Sequence, residues 1–174
     1  MQLMDKAKAT RFLGKEFLIW LWYWSETEEG AFDLGESGTA HVWFERKMIL
    51  ESEGDGGTEK VTCAGENQRF KEARFALTQN KTIREAMIRL AIGDNEWSFV
   101  VDATWMNYKS LKTPKVMQDR REDPDGLFFE KVSLLYKALS AMDAIYAQFI
   151  KLRLSPEWEA TELPAILGWI REGR

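Results

Sequence analysis

The sequence predicts an α+β fold: a mostly antiparallel sheet of about six or seven strands, packed by an N-terminal aromatic helix and a long C-terminal helix. Three observations carry this. Residues Phe17 to Trp24 are eight consecutive apolar or aromatic residues, three of them tryptophan. Such a block is far short of the roughly 20 residues that span a bilayer, and it is apolar on every side, so it must be buried. Between Ala31 and Leu111, short alternating segments are separated by Gly- and Asp-rich turns, the signature of strands. Finally, Phe128, Val132, Leu135, Leu139, Met142, Tyr146 and Phe149 recur at spacings of 4 and 3, which places them on one helical stripe.

With 174 residues, 45% apolar and 30% charged, the chain suits one domain covering residues 1–174. Eight tryptophans and ten phenylalanines point to dense core packing, or to aromatic surface shared with a partner. Cys63 is the only cysteine, which excludes an intrachain disulfide and a cysteine-rich zinc site. The N-terminus, Met-Gln-Leu-Met-Asp-Lys-Ala-Lys, has no apolar signal core and no later segment spans a membrane, so the expected compartment is the cytoplasm.

In order, the aromatic helix runs from Asp5 or Thr10 to Trp24 and stops at Ser25–Gly30. Strands are expected at Ala31–Leu34, Gly38–Glu45 and Lys47–Glu53, the last two joined by a hairpin at Glu45-Arg46. In the second, Ala40, Val42 and Phe44 alternate with Thr39, His41 and Trp43. Gly54-Asp55-Gly56-Gly57 is a turn leading to a strand at Glu59–Ala64. A helix at Glu66–Asn80 follows, then strands at Ile83–Ile92, Glu96–Ala103 and Thr104–Leu111, and a charged loop at Lys112–Gly126. The helix at Leu127–Leu152 is expected to lay its stripe on the sheet, widened by Phe129, Ala138, Ala141 and Ile145; the same seam can pair two chains as a coiled coil. A C-terminal helix carries Leu163, Ile166, Leu167 and Ile170.

Catalysis finds no constellation here. His41 is the only histidine and sits mid-strand, and Cys63 has no His or Cys partner in a recognisable arrangement. The acidic runs match no calcium loop, and the Gly54–Gly57 turn precedes a strand rather than the helix N-terminus that a phosphate loop needs. The expectation is a non-enzyme with no metal, cofactor or small-molecule substrate.

Charge is distributed unevenly. The net charge is −4, yet residues 69–121 hold eleven Lys/Arg against six Asp/Glu, or +5, leaving 13 against 22, or −9, elsewhere. Lys109, Lys112 and Lys115 end a strand, Arg120 and Arg121 follow, and Arg74 and Lys81, with Arg69 and Lys71, could extend the footprint. Cations of this kind, beside Ser110 and Thr113, suit phosphate contacts that position a duplex without reading its sequence. The competing explanation is a loop kept soluble by mixed charge.

The block Phe12-Leu-Gly-Lys-Glu-Phe-Leu-Ile-Trp-Leu-Trp-Tyr-Trp-Ser-Glu26 resembles the RdgC family of recombination-associated proteins, in a shorter form matching its C-terminal half. The later order of elements, with Tyr108-Lys-Ser-Leu-Lys112 before an acidic loop and a long closing helix, is similar too. The resemblance implies a non-catalytic, nucleoid-associated homodimer that binds double-stranded DNA without sequence preference and modulates RecA-dependent recombination. Lys109, Lys112 and Lys115 fall at the family's Lys-rich strand end. The chain lacks the family's N-terminal half, so a ring cannot close through the same two contacts. The alternative is an interaction or oligomerisation module without direct DNA contact, such as a phage- or defence-related regulator, using Phe17, Trp20, Trp24, Leu135 and Met142 as its interface.

Overall fold

The computed structural model describes residues 3–54, 57–65, 69–116 and 123–172. Helix α1 (Leu3–Thr27) starts earlier than the sequence pattern places it. It ends where Glu29 and Gly30 adopt left-handed backbone angles, φ 53° and 66°, which turn the chain into β1 (Ala31–Asp33). A 3₁₀ turn (Gly35–Ser37) leads to β2 (Thr39–Gly54) and β3 (Gly57–Ala64). Then come α2 (Arg69–Thr78), β4 (Thr82–Ile92), β5 (Asn95–Asp102), β6 (Asn107–Lys112) and α3 (Pro124–Arg153). A π-helical turn (Trp158–Glu162) passes into α4 (Leu163–Glu172). The fold is α+β, and the sheet is antiparallel in every pair, as the alternation predicts.

One expected hairpin is absent. The sequence breaks β2 at Glu45-Arg46, whereas the strand continues unbroken to Gly54. The pairing slips instead: Glu45 lies opposite Met87 and Met48 opposite Ala86, so two residues of β2 bulge out of the ladder. Because the bulge holds two residues, the inward row of β2 keeps its face on both sides of it, with Val42 before and Met48 and Leu50 after.

Strand order is β1-β2-β4-β5-β6. β3 pairs with the second half of β2, beyond β1 on the same side. One sheet face is dry, formed by Ala40, Val42, Met48 and Leu50 of β2, Ile83, Ile88 and Leu90 of β4, and Trp97, Phe99 and Val101 of β5. Phe17, Leu18, Trp20, Leu21 and Trp22 of α1 are packed into this core, as are Met142, Ile145 and Phe149 of α3 and Ile166 and Trp169 of α4. The Phe17 ring meets Tyr146 edge-on at 5.1 Å, and Trp22 meets Trp169 edge-on at 4.9 Å. Each buried aromatic of this size contributes about 1.5–3 kcal/mol through its burial. Their polar tips are also satisfied: Trp20 Nε1 donates to Glu162, Trp22 Nε1 to Glu26 and Trp24 Nε1 to the Ala31 carbonyl, at 3.0, 2.8 and 3.0 Å. Among the described residues, no helix is long and apolar enough to cross a membrane.

The α3 stripe does not cover the sheet along its whole length. Met142 and Phe149 are buried, but Phe128, Val132, Leu135 and Leu139 are 62%, 44%, 38% and 38% exposed. A 3.5-residue repeat drifts about 20° per heptad around a straight 3.6-residue helix. A stripe that rests on the core at Phe149 has therefore swung onto the helix flank by Phe128. Phe129 is exposed as well, away from Ala138, Ala141 and Ile145, which do face the core.

Helix α1 approaches the end of β5 so closely that a Cβ at Gly14 would run into the Ala103 carbonyl oxygen. Gly14→Ala should therefore cost about 1–3 kcal/mol. The measurement is the urea midpoint, which should fall with the m-value unchanged; an unaltered midpoint would contradict this contact.

Candidate functional site

The strand end nominated from sequence is β6, an edge strand. Lys109 pairs in register with Val100, and Lys112 with Ser98, with a register shift between them. Residues three apart on a regular strand point to opposite faces, but here Ser110 takes a left-handed φ of 54° and the strand bulges. Lys109 and Lys112 consequently share the sheet face that the helices leave uncovered. Lys112 and Lys115 are both exposed.

Lys109 is not free to meet a phosphate. Its Nζ lies 2.6 Å from Asp102 Oδ2 and 2.9 Å from Glu85 Oε1, so it clamps β6 to β5 and β4. Burial alone would raise the Asp102 carboxyl, but hydrogen bonds from the Lys109 ammonium and the Thr104 backbone N–H outweigh it and leave the group below the ordinary aspartate range. Hydrogen bonding to Asp102, then to Glu85, holds the Lys109 ammonium above the usual lysine range. On the other side of β6, burial, with the Asp143 charge and Tyr146 adding to it, pushes the Tyr108 phenol up to about 12.

Two more nominated cations prove to be structural. Arg74 Nη2 is 2.6 Å from Glu26 Oε2, and its guanidinium lies 4.6 Å from the Trp169 ring centroid. Glu26 Oε2 also accepts from Trp169 Nε1 at 3.1 Å while Oε1 takes the Trp22 N–H, so one carboxylate ties α1, α2 and α4 together. Lys81 Nζ contacts Glu59 at 2.8 Å and the Ser52 hydroxyl at 3.1 Å. Lys71 is exposed. Arg120 and Arg121 lie outside the described residues, as does the side chain of Arg69.

The interface nominations divide in the same way. Phe17, Trp20 and Met142 are core residues with no surface to offer a partner, which corrects that expectation. Trp24 is half-buried against Phe32, and only Leu135 belongs to an exposed apolar row.

Two further surfaces stand out, the first missed by sequence reasoning and the second foreseen there only as the Phe128–Phe149 stripe. The first is the uncovered sheet face, where Arg89 lies 4.6 Å from the Trp43 ring centroid and pairs with Glu45 at 3.4 Å and Glu96 at 3.6 Å. His41 stacks on the same Trp43 with ring centroids 5.7 Å apart. Lys47, Ile49, Glu85, Met87 and Val100 border a small dimple of about 30 Å³ on this face. The second is the flank of α3. Aromatics at 129 and 136, off the stripe, are the signal in the sequence that this helix has a second apolar side. Beside it, a groove of about 500 Å³ runs between α3 and the 34–37 turn, bordered by Glu36, Ser37, Ser133, Lys137 and Ser140. Among the described residues, no three His, Cys, Asp or Glu side chains gather into a metal site.

The Asp102 clamp has a pH signature. A carboxyl whose folded value lies below its unfolded value stabilises fully above the unfolded value, and that stability is lost as pH falls through the folded one. Asp102→Asn should therefore cost about 1–3 kcal/mol near neutrality. The gap from wild type should narrow as pH falls below about 4. Chemical denaturation across pH reads this out, and a gap independent of pH would contradict the clamp.

Comparison with protein-family models and with curated proteins finds no match for this chain.

Proposed function

We propose that the protein is a non-catalytic binder of double-stranded DNA that grips the phosphate backbone without reading sequence and acts in RecA-dependent recombination. The observation that carries this reading is the exposure of Lys112 and Lys115 at the end of edge strand β6. Lys112 shares the uncovered sheet face with Lys47, also exposed. Lys109 offsets one of the two charges of Glu85 and Asp102, and Arg89 one of the two of Glu45 and Glu96, so this edge repels an approaching phosphate less than four free carboxylates would. In this reading Lys109 is a positioning residue that offsets part of the acidic charge around it, and Lys112 and Lys115 make the contacts. The resemblance of the Phe12–Glu26 block to RdgC supplies the pathway, and nucleoid association belongs to the same proposal.

A second reading, an interaction module, is favoured by a separate observation, the exposed apolar flank of α3.

Fluorescence anisotropy of a labelled random-sequence duplex across a salt series tests the first reading. Wild type should bind at low salt and weaken steeply as salt rises. Lys112→Ala/Lys115→Ala should reduce the magnitude of the log–log slope by up to about two, one for each lost phosphate contact. Absence of binding at about 50 mM salt would sink the DNA reading, and an unchanged slope in the double variant would move the contact elsewhere.

A further inference from the structure

We propose that two copies of the chain associate through the N-terminal half of α3, with the two helices antiparallel. This develops the interaction reading and rests on it, not on the DNA reading. Phe128, Phe129, Val132, Leu135, Tyr136 and Leu139 are between 38% and 73% exposed. They form one continuous apolar flank, and the Phe128 and Phe129 rings already touch edge-on at 5.7 Å. A flank of this width facing water calls for a partner.

The order of residues identifies the partner as a second copy. A twofold axis between positions 133 and 134 sets Val132 against Leu135 and Phe128 against Leu139, each contact occurring twice, as an isologous interface requires. Phe129 then lies beside Tyr136 of the second copy, so both off-stripe aromatics are used.

Length and direction agree with this. The exposed apolar row runs from Phe128 to Leu139, and the stripe enters the core at Met142. The same axis places Phe128 opposite Leu139, so the open row of one helix is matched by the open row of the other. Beyond Met142 the stripe is covered by α1 through Phe17, whose ring lies 5.1 Å from Tyr146 and 5.5 Å from Phe149. Taking about 200 Å² for an aromatic side chain and less for Val and Leu, the six exposures come to roughly 600 Å² per chain. A symmetric pair thus buries about 1,200 Å², the lower end of stable interfaces.

Sedimentation velocity of the full chain should give a mass twice 20.2 kDa. Leu135→Glu and Val132→Asp should return a monomer with an unchanged circular dichroism spectrum. Engineered cysteines then read the direction, since Cys63 is buried. A mixture of Phe128→Cys and Leu139→Cys chains should cross-link on mild oxidation, and neither variant should cross-link alone. Cross-linking of Phe128→Cys by itself would mean a parallel pair and overturn the proposal. A monomeric wild type whose stability is unaffected by Leu135→Glu overturns the second copy and leaves the interaction reading standing. A monomeric wild type that Leu135→Glu destabilises means that the chain covers this flank itself, which overturns both.

Discussion

The burial of α1 is the constraint on which the rest of the molecule depends. A helix that is apolar all round over Phe17–Trp24 cannot form an outer wall, so it needs partners on several sides at once. The sheet supplies one side, α3 a second and α4 a third. Three indole N–H groups along the same helix must also find acceptors away from water. Glu162 and the Ala31 carbonyl provide two of them and fix other parts of the chain relative to α1, and Glu26, on α1 itself, provides the third. Glu26 extends the effect by holding Arg74 of α2 and Trp169 of α4 on its other oxygen.

The surfaces open to function are those left over once α1 is satisfied. All four helices contribute to a single core against one face of the sheet, which leaves the other face lined by charged and half-exposed side chains. Most of the described charges there are paired locally, Arg89 with Glu45 and Glu96, Lys109 with Glu85 and Asp102. Exposed lysines on this face include those at the β6 end, Lys47 and Lys60. On α3 the leftover is apolar, because α1 reaches only the C-terminal half of the stripe. The basic strand end and the apolar helix flank are physically independent, so the two proposed contacts, with a phosphate backbone and with a second copy, do not compete.

Elements whose pattern is local were legible in the sequence. The Phe17–Trp24 helix, the outward and inward rows of β2 and the β4–β5 hairpin all follow from alternation and turn chemistry. What could not be seen depended on register. Position 46 reads as a turn because a charge interrupts an apolar alternation, and only the pairing with β4 shows a bulge. Lys109 and Lys112 look equivalent in sequence, but Lys109 meets Asp102 and Glu85 across two neighbouring strands. Arg74 and Lys81 have their partners 48 and 22 residues away. In α3 the heptad spacing was read correctly, and the drift between 3.5 and 3.6 residues per turn decided which half of it was buried.

Native-state hydrogen exchange on the amides of α1 tests the account most directly. If α1 organises the core, amides from Phe17 to Trp22 should open only with the whole molecule, at the same free energy as those of the central strand β4. Exchange in this segment at a distinctly lower free energy, with β4 still protected, would show that the sheet stands without α1 and would contradict the account.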